Sequence, residues 1–157
     1  PSENRVSIFS KFLVVEVFET YDNFTSCSAG IETPFGKLVV YGTIVGILGN
    51  RNQSFIPDLK SQMNDLQKLS DKNICFLGDF NCSFSDNYYF TNEGRNLFNE
   101  NFKILKLKNI TAKIPENIDH IVMSEKFIER FKIKISEFNL DKKLSDHKGI
   151  IVELISL

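Results

Sequence analysis

The sequence predicts an α/β fold, a sandwich of mixed or antiparallel sheet flanked by helices. Three observations predict it. Apolar runs rich in Val, Ile and Phe follow one another from Val6 to Ile47. One long stretch, Ile56 to Leu69, instead repeats its apolar residues at helical spacing. Short apolar runs then return, several of them ending on acids, amides or a histidine. Strands, one long helix, then strands with short helices is the order of a layered α/β domain.

Val6 to Phe9 enters strand-like alternation, and Phe12 to Phe18 is a second run of Val and Phe. Cys27 to Glu32 reads as a third strand, stopped by the turn signal Thr33-Pro34-Phe35-Gly36. Lys37 to Ile47 reads as a long buried strand. These early runs form consecutive antiparallel strands in this reading. Gly49 to Gln53 is a polar loop, and Asn52 or Ser54 caps the helix that follows. Pro57 falls in its first turn, where a missing N–H costs nothing. Ile56, Leu59, Met63, Leu66 and Leu69 make its buried stripe, so Met63 is core rather than ligand.

Ile74 to Leu77 is a short, fully apolar strand ending on Gly78-Asp79. A helix that leads into a buried strand predicts a crossover onto the sheet. Ser83 to Phe90 is an aromatic, polar loop, and Thr91 caps a short helix through Leu97 and Phe98. Phe102 to Ile110 alternates lysines with apolar residues. Ile118 to Met123 is a strand, followed by a helical turn capped by Ser124. Phe131 to Phe138 alternates as a strand, and Gly149 to Leu154 closes the chain as another. No repeat or low-complexity segment interrupts this order, and residues 1–157 read as one domain.

Composition sets limits on function. The hydrophobic fraction of 42% and charged fraction of 25% are those of an ordinary globular domain with a real core. Fifteen Phe and no Trp mean that phenylalanine supplies most of the aromatic burial. A net charge of −1 gives no global field toward nucleic acid or membrane. Cys27, Cys75 and Cys82 have neither zinc-ribbon nor CxxC spacing. Cys75 reads as a buried thiol and Cys82 as a loop bystander. Reduced cysteines predict a cytoplasmic location. No apolar run is long enough to span a bilayer. The start, Pro1-Ser2-Glu3-Asn4-Arg5, has no initiator Met and no signal region, and reads as that of a processed or partial chain.

Three short motifs carry the chemistry. In Gly78-Asp79-Phe80-Asn81, residues i and i+2 at a strand end present a carboxylate and an amide to one side. Gly78 permits a close backbone approach or a sharp turn. In Ile118-Asp119-His120-Ile121, adjacent residues point to opposite faces, so one of Asp119 and His120 shares a site with Asp79. The flanking isoleucines leave open which. A buried aspartate needs a partner, and a histidine is the natural one. In Ser145-Asp146-His147, a histidine near neutral pKa suits proton transfer or charge stabilisation, with an aspartate to fix its tautomer. Alone, the first motif reads equally well as a turn, the second reads better as a structural salt link, and the third as a surface loop. Together they offer what phosphate ester cleavage needs: a base for water, donors for developing charge, and oxygen ligands that favour Mg²⁺ or Mn²⁺.

These motifs, in this order, resemble the three C-terminal motifs of the endonuclease/exonuclease/phosphatase superfamily, which includes abasic-site endonucleases, DNase I-like nucleases, and sphingomyelin and inositol phosphatases. The Thr33-Pro34-Phe35-Gly36 turn and the Leu38–Ile47 strand are similar to the central strand of bacterial members. The resemblance extends from Val6 to Leu154 and implies a DNase I-like β-sandwich flanked by helices. It implies that Asp79 positions or deprotonates water and that Asn81 contacts the phosphate. Asp119 holds His147, Asp146 and Asp79 contribute to the metal site, and His147 stabilises the transition state. The implied activity is that of a metal-dependent phosphodiesterase, nuclease rather than phosphatase on family frequency. The implied partner is nucleic acid or another phosphoester.

Two departures qualify that implication. The family opens with a strand bearing an Asn, a helix, and a strand ending in a metal-binding Glu. Nothing in this chain matches them, and Val6 to Phe9 resembles the strand after that Glu. The expectation is therefore an N-terminally truncated domain of impaired activity. A partner chain or a missing segment would cover its open sheet. The family's His or Tyr near the end of the central strand is also absent, and Tyr41 reads as core. Glu16, Glu19 and Glu32 have no spacing that marks them as replacement ligands. The rival reading is a non-catalytic descendant that binds nucleic acid or protein through Lys103, Lys106, Lys108, Lys113, Lys132 and Lys134. The cluster Tyr88-Tyr89-Phe90 either stacks on a base or packs under its loop, and packing is the expectation.

Overall fold

The computed structural model describes residues 4–157. Its elements run β1 (Val14–Phe18), β2 (Ser26–Thr33), β3 (Gly36–Ile44), α1 (Phe55–Lys68), β4 (Ile74–Asp79), α2 (Asn92–Ile104), β5 (Leu107–Asn109), β6 (Asp119–Ser124), α3 (Glu125–Ile128), β7 (Phe131–Phe138) and β8 (Gly149–Ser156). One six-stranded sheet has the order β1-β2-β3-β4-β6-β5, and β7 pairs with β8 in a second sheet of two strands. β1, β2 and β3 form the expected antiparallel meander. The α1 crossover sets β4 parallel to β3, and β6 and β5 return antiparallel. The expected α/β sandwich is therefore present, its second layer reduced among the described residues to one hairpin.

Alternation along the strands divides the core in two. Val39 and Tyr41 of β3, Ile74 and Phe76 of β4 and Val122 of β6 pack against Leu59, Met63 and Leu66 of α1 and Phe98 and Phe102 of α2. On the other face Cys75 and Met123 meet Phe127, Ile128 and Phe131, with Leu77, Ile133 and Leu154 alongside. Each such large apolar side chain contributes roughly 1.5–3 kcal/mol when fully buried. Tyr41 is core, as expected: it is fully buried and donates its hydroxyl to Asp65 at 3.0 Å. Cys82 and Cys75 are buried free thiols. Burial pushes their pKa values up to about 11 and about 12, so neither is a reactive thiolate. No helix among the described residues is long and apolar enough to cross a membrane.

Four local expectations are corrected. Val6 to Phe9 is no strand. It crosses the hairpin side of the sheet, where Gly42 lacks the Cβ that would lie 2.9 Å from Val6 Cγ1. Hollows of about 910 Å³ and about 470 Å³ open beside this segment, and Phe9 and Val17 are 95% and 78% exposed. α2 continues to Ile104, past Phe98, because Phe98 and Phe102 lie one turn apart and both bury against Phe80. Lys106, with φ 52°, then breaks the chain before β5, so the lysine alternation from Phe102 to Ile110 is a helix end, a turn and a short strand. Ser124 stands before α3 without capping it. Its Oγ instead accepts from Ile74 N at 2.8 Å, tying the start of β4 to the end of β6. At α1, Ser54 holds the N-cap position without a side-chain bond, while Asn52 Oδ1 accepts from Ser54 N at 3.0 Å. Thr91 does cap α2, accepting from Gly94 N at 3.1 Å.

Gly78 fixes the approach of β4 to β3. Its φ is +136°, and a Cβ there would sit 1.9 Å from Thr43 O, a backbone atom in the adjacent strand. Gly78→Ala is therefore expected to cost about 3 kcal/mol, from backbone strain and overpacking together. Urea denaturation reads this directly, and a loss below about 1 kcal/mol would show that the strand pair yields.

Candidate active site

Strand parity settles what the sequence left open. Asp79 and Asp119 are register partners at the ends of β4 and β6. Asp119 shares the face of Ile121 and Met123, toward the hairpin, whereas His120 shares that of Val122, toward the helices. The loop between β7 and β8 then returns over the same sheet end. His147 Nδ1 lies 2.8 Å from Asp119 Oδ2, with side chains 35% and 25% exposed. The expected pairing of Asp119 with His147 is thus formed, with Nδ1–H as the donor to the carboxylate. Asn139 holds this loop in shape: its Nδ2 donates to Ser145 O at 2.8 Å and to His147 O at 2.7 Å, and its Oδ1 accepts from Leu144 N. Lys148 anchors the far side, donating to Pro115 O at 2.7 Å.

Asp79 is held by the motif it belongs to. Asn81 adopts φ 47°, a left-handed conformation that asparagine tolerates. That turn points Asn81 N at Asp79 Oδ1, 2.8 Å away. The Asn81 amide donates to Asp79 Oδ2 at 3.3 Å and to the carbonyls of Val45 and Gly46 at 3.0 and 3.2 Å. Asn50 Nδ2 in turn donates to Asn81 O at 2.8 Å, and Gly46 N donates to Asp58 Oδ2. In this arrangement Asn81 positions Asp79. Asn50, Asp58 and Asn139 were not anticipated. They are loop or helix polar residues whose role appears only when distant segments meet.

Charge and burial set the protonation of the group. Burial pushes the Asp79 carboxyl up to about 6, with the Asn81 N–H opposing and the Asp119 charge adding. Burial also raises Asp119, against the attraction of His147. Burial alone would lower His147, but the carboxylates of Asp119, Asp79 and Asp146 outweigh it and raise its pKa above the usual value. His120 is the opposite case. It is 1% exposed, its Nδ1 3.1 Å from Thr111 Oγ1 and its Nε2 3.0 Å from Cys82 O. Burial lowers it to about 4, so it is a neutral core residue.

A cavity of about 280 Å³ opens at this end of the sheet, bordered by Asn81, Tyr88, Asn117, Asp119, Asp146 and His147. Four residues expected at the site, Asn81, Asp119, Asp146 and His147, border it, and the fifth, Asp79, lies beside Asp119 within reach of the charges of His147 and Asp146. Among the described residues no group of three or more His, Cys, Asp or Glu side chains is placed to hold a metal ion. Asp79 accepts hydrogen bonds from Asn81 and Asp119 from His147, and Asp146 lies exposed in the loop. Glu16, Glu19 and Glu32 do not border the cavity.

Two histidines make the protonation testable by proton NMR. His147 is expected to titrate above its usual value of 6.5 and His120 near about 4. Asp119→Asn brings the His147 curve down. A wild-type His147 midpoint at or below 6.5 would show that the pair does not form in solution. For His120 the unfolded chain takes up the proton first, so its burial removes stability as pH falls from 6.5 toward about 4, and removes none above that window.

No protein-family model and no curated protein matches the chain. Solved structures do. The endonuclease domain of TRAS1, a telomere-specific non-LTR retrotransposon, superposes with a TM-score of 0.63 at 14% identity, over 88% of this chain and 68% of that one. A humanized D. rerio TDP2 gives 0.58 at 18% identity, over 93% of this chain and 66% of that one. An endonuclease/exonuclease/phosphatase from Beutenbergia cavernae gives 0.58 at 16% identity, over 83% of this chain but 39% of that one. The chain thus spans between 39% and 68% of the length of these structures. Over the part it covers, the chain has the DNase I-like fold of the endonuclease/exonuclease/phosphatase proteins.

Proposed function

We propose that the chain carries the phosphate-binding and water-activating residues of a phosphodiester hydrolase, a nuclease in preference to a phosphatase. The observation that carries this reading is the Asp119–His147 pair seated beside Asp79 at one sheet end. Asp119 fixes the His147 tautomer and favours the protonated imidazole, which donates to a phosphate oxygen as charge builds. Asp79, ionised above about 6, accepts a proton from the attacking water. Asn81 holds Asp79 in place. The endonuclease character of one structural neighbour, the TRAS1 domain, supports the choice of substrate class.

Charge balance bears on the cation. Asp79, Glu116, Asp119 and Asp146 outnumber His147, Lys142 and Lys148 around the cavity, so a phosphodiester anion entering it needs more positive charge. Mg²⁺ or Mn²⁺ is the expected source, with Asp146 and Asp79 as its expected ligands. The described residues do not fit such an ion unaided, and holding one takes donors beyond them. That favours impaired activity for this chain. Oligonucleotide binding without cleavage remains the rival outcome, although its six lysines are spread over a helix end, turns, a short strand and the hairpin. We further propose that the open, apolar side of the sheet is covered by additional polypeptide, from a longer form of this chain or from a partner chain.

Hydrolysis of bis(p-nitrophenyl) phosphate and of a labelled oligonucleotide, with and without Mg²⁺ or Mn²⁺, tests the reading. Where turnover is measured, His147→Ala is expected to lower it by about 10²–10⁴-fold. Turnover that survives His147→Ala would remove this site from the chemistry.

A further inference from the structure

We propose that Tyr88 is a stacking platform for an unpaired nucleobase beside the scissile phosphate, so that the cavity takes single-stranded nucleic acid in preference to duplex. The inference rests on reading the His147 cavity as a phosphate site. The expectation that the 88–90 aromatics pack under their loop holds for Phe90 and in part for Tyr89, which is half-buried and also borders the cavity. Phe90 lies under the Arg95 guanidinium at 3.9 Å, and the Tyr89 hydroxyl lies 2.7 Å from where a Cβ on Gly49 would be. Phe84, earlier in the same loop, sits edge-on to His120 at 4.7 Å and beside Phe98 at 5.7 Å. Tyr88 is 53% exposed and borders the cavity with Asp119 and His147.

The loop that presents Tyr88 is fixed at each side. Asp86 accepts from Tyr88 N at 3.0 Å and from Glu116 N at 2.7 Å. Ser85 Oγ donates to Ile114 O at 2.8 Å, and Arg95 donates to Ser83 O at 2.9 Å and to Asp86 O. Loop 83–90 and segment 114–116 therefore form one wall, and Tyr88 loses little freedom when a base stacks on it. A cavity of about 280 Å³ is small for a ligand site and admits one nucleotide unit at a time. Lys142 and Lys148 border it, but so do Glu116, Asp119 and Asp146, and Lys148 is paired with Glu137 at 3.2 Å, so the wall carries no net positive charge. Stacking then carries more of the binding than phosphate contacts do, and the salt dependence is shallow.

The test uses the 157-residue chain and a fluorescein-labelled oligothymidylate of about six nucleotides, within the usual site size of single-strand binders, with a hairpin duplex for comparison. Anisotropy is expected to show the single strand bound more tightly than the duplex. Tyr88→Ala weakens single-strand binding about tenfold, while Tyr88→Phe and Tyr88→Trp retain it and duplex binding does not change. Tyr88 is exposed, so circular dichroism of the variants should match wild type. Unchanged single-strand binding in Tyr88→Ala, a preference for duplex, or no binding by wild type overturns the inference. Turnover measured alongside separates the two readings. Hydrolysis lost in His147→Ala with binding unchanged in Tyr88→Ala sinks the platform alone. Binding that depends on Tyr88, with turnover that survives His147→Ala, sinks the hydrolase alone.

Discussion

The hydrogen bond from His147 to Asp119 joins the two sheets on polar ground. Near Phe131 the hairpin is seated by apolar contact with Phe127, Ile128 and Met123. At its other end its strands are largely exposed, with Ile135 and Ile151 at 39% and 47%. An isolated two-stranded hairpin is marginal in water. The loop past Asn139 would have little reason to lie over the sheet end without the 2.8 Å contact to Asp119 and the Lys148 bond to Pro115. The residues read as chemistry are thus also the residues that dock the second layer, and site geometry and layer packing stand or fall together.

That double role has an electrostatic cost, which the surrounding backbone offsets. Two carboxylates at register positions on adjacent strands repel, and partial burial raises both. Each is met by one designated donor, Asn81 for Asp79 and His147 for Asp119. The left-handed turn at Asn81 is tolerable because three further bonds, to Val45, Gly46 and Asn50, determine it. Asp58, reaching from α1 to Gly46, extends the support into the helix layer.

Much of this was legible in the chain and some was not. The motifs around Asp79, Asp119 and His147 marked the three positions that meet. The apolar runs ending at Asp79 and flanking Asp119 marked β4 and β6. Which of Asp119 and His120 faced the site was not legible, because isoleucine stands on both sides and strand parity needs a known face. The supporting residues Asn50, Asp58 and Asn139 carry no pattern, since each acts across a long sequence separation. Val6 to Phe9 alternates like a strand but pairs with none, and instead crosses above Gly42. The α2 extension was hidden by lysines that mimic strand alternation, while the Phe98–Phe102 spacing, a helical signal, decided the outcome.

The aromatic composition explains why the cavity wall is rigid. Phe80, the residue between Asp79 and Asn81, stacks on Phe76 at 4.6 Å and on Phe98 at 5.1 Å. Phe84 joins the same cluster and touches the His120 ring. A neutral histidine suits that position. It offers an aromatic edge to the phenylalanines and uses its nitrogens on Thr111 and Cys82 O, linking β6 to the segment after the first motif. Protonating His120 would place an unpaired charge within this cluster, so burial holds it neutral down to about pH 4. The parity that turns Asp119 outward to His147 therefore turns His120 inward to fasten the loop that carries Asn81 and Tyr88. One dipeptide serves the chemistry on one face of β6 and its support on the other.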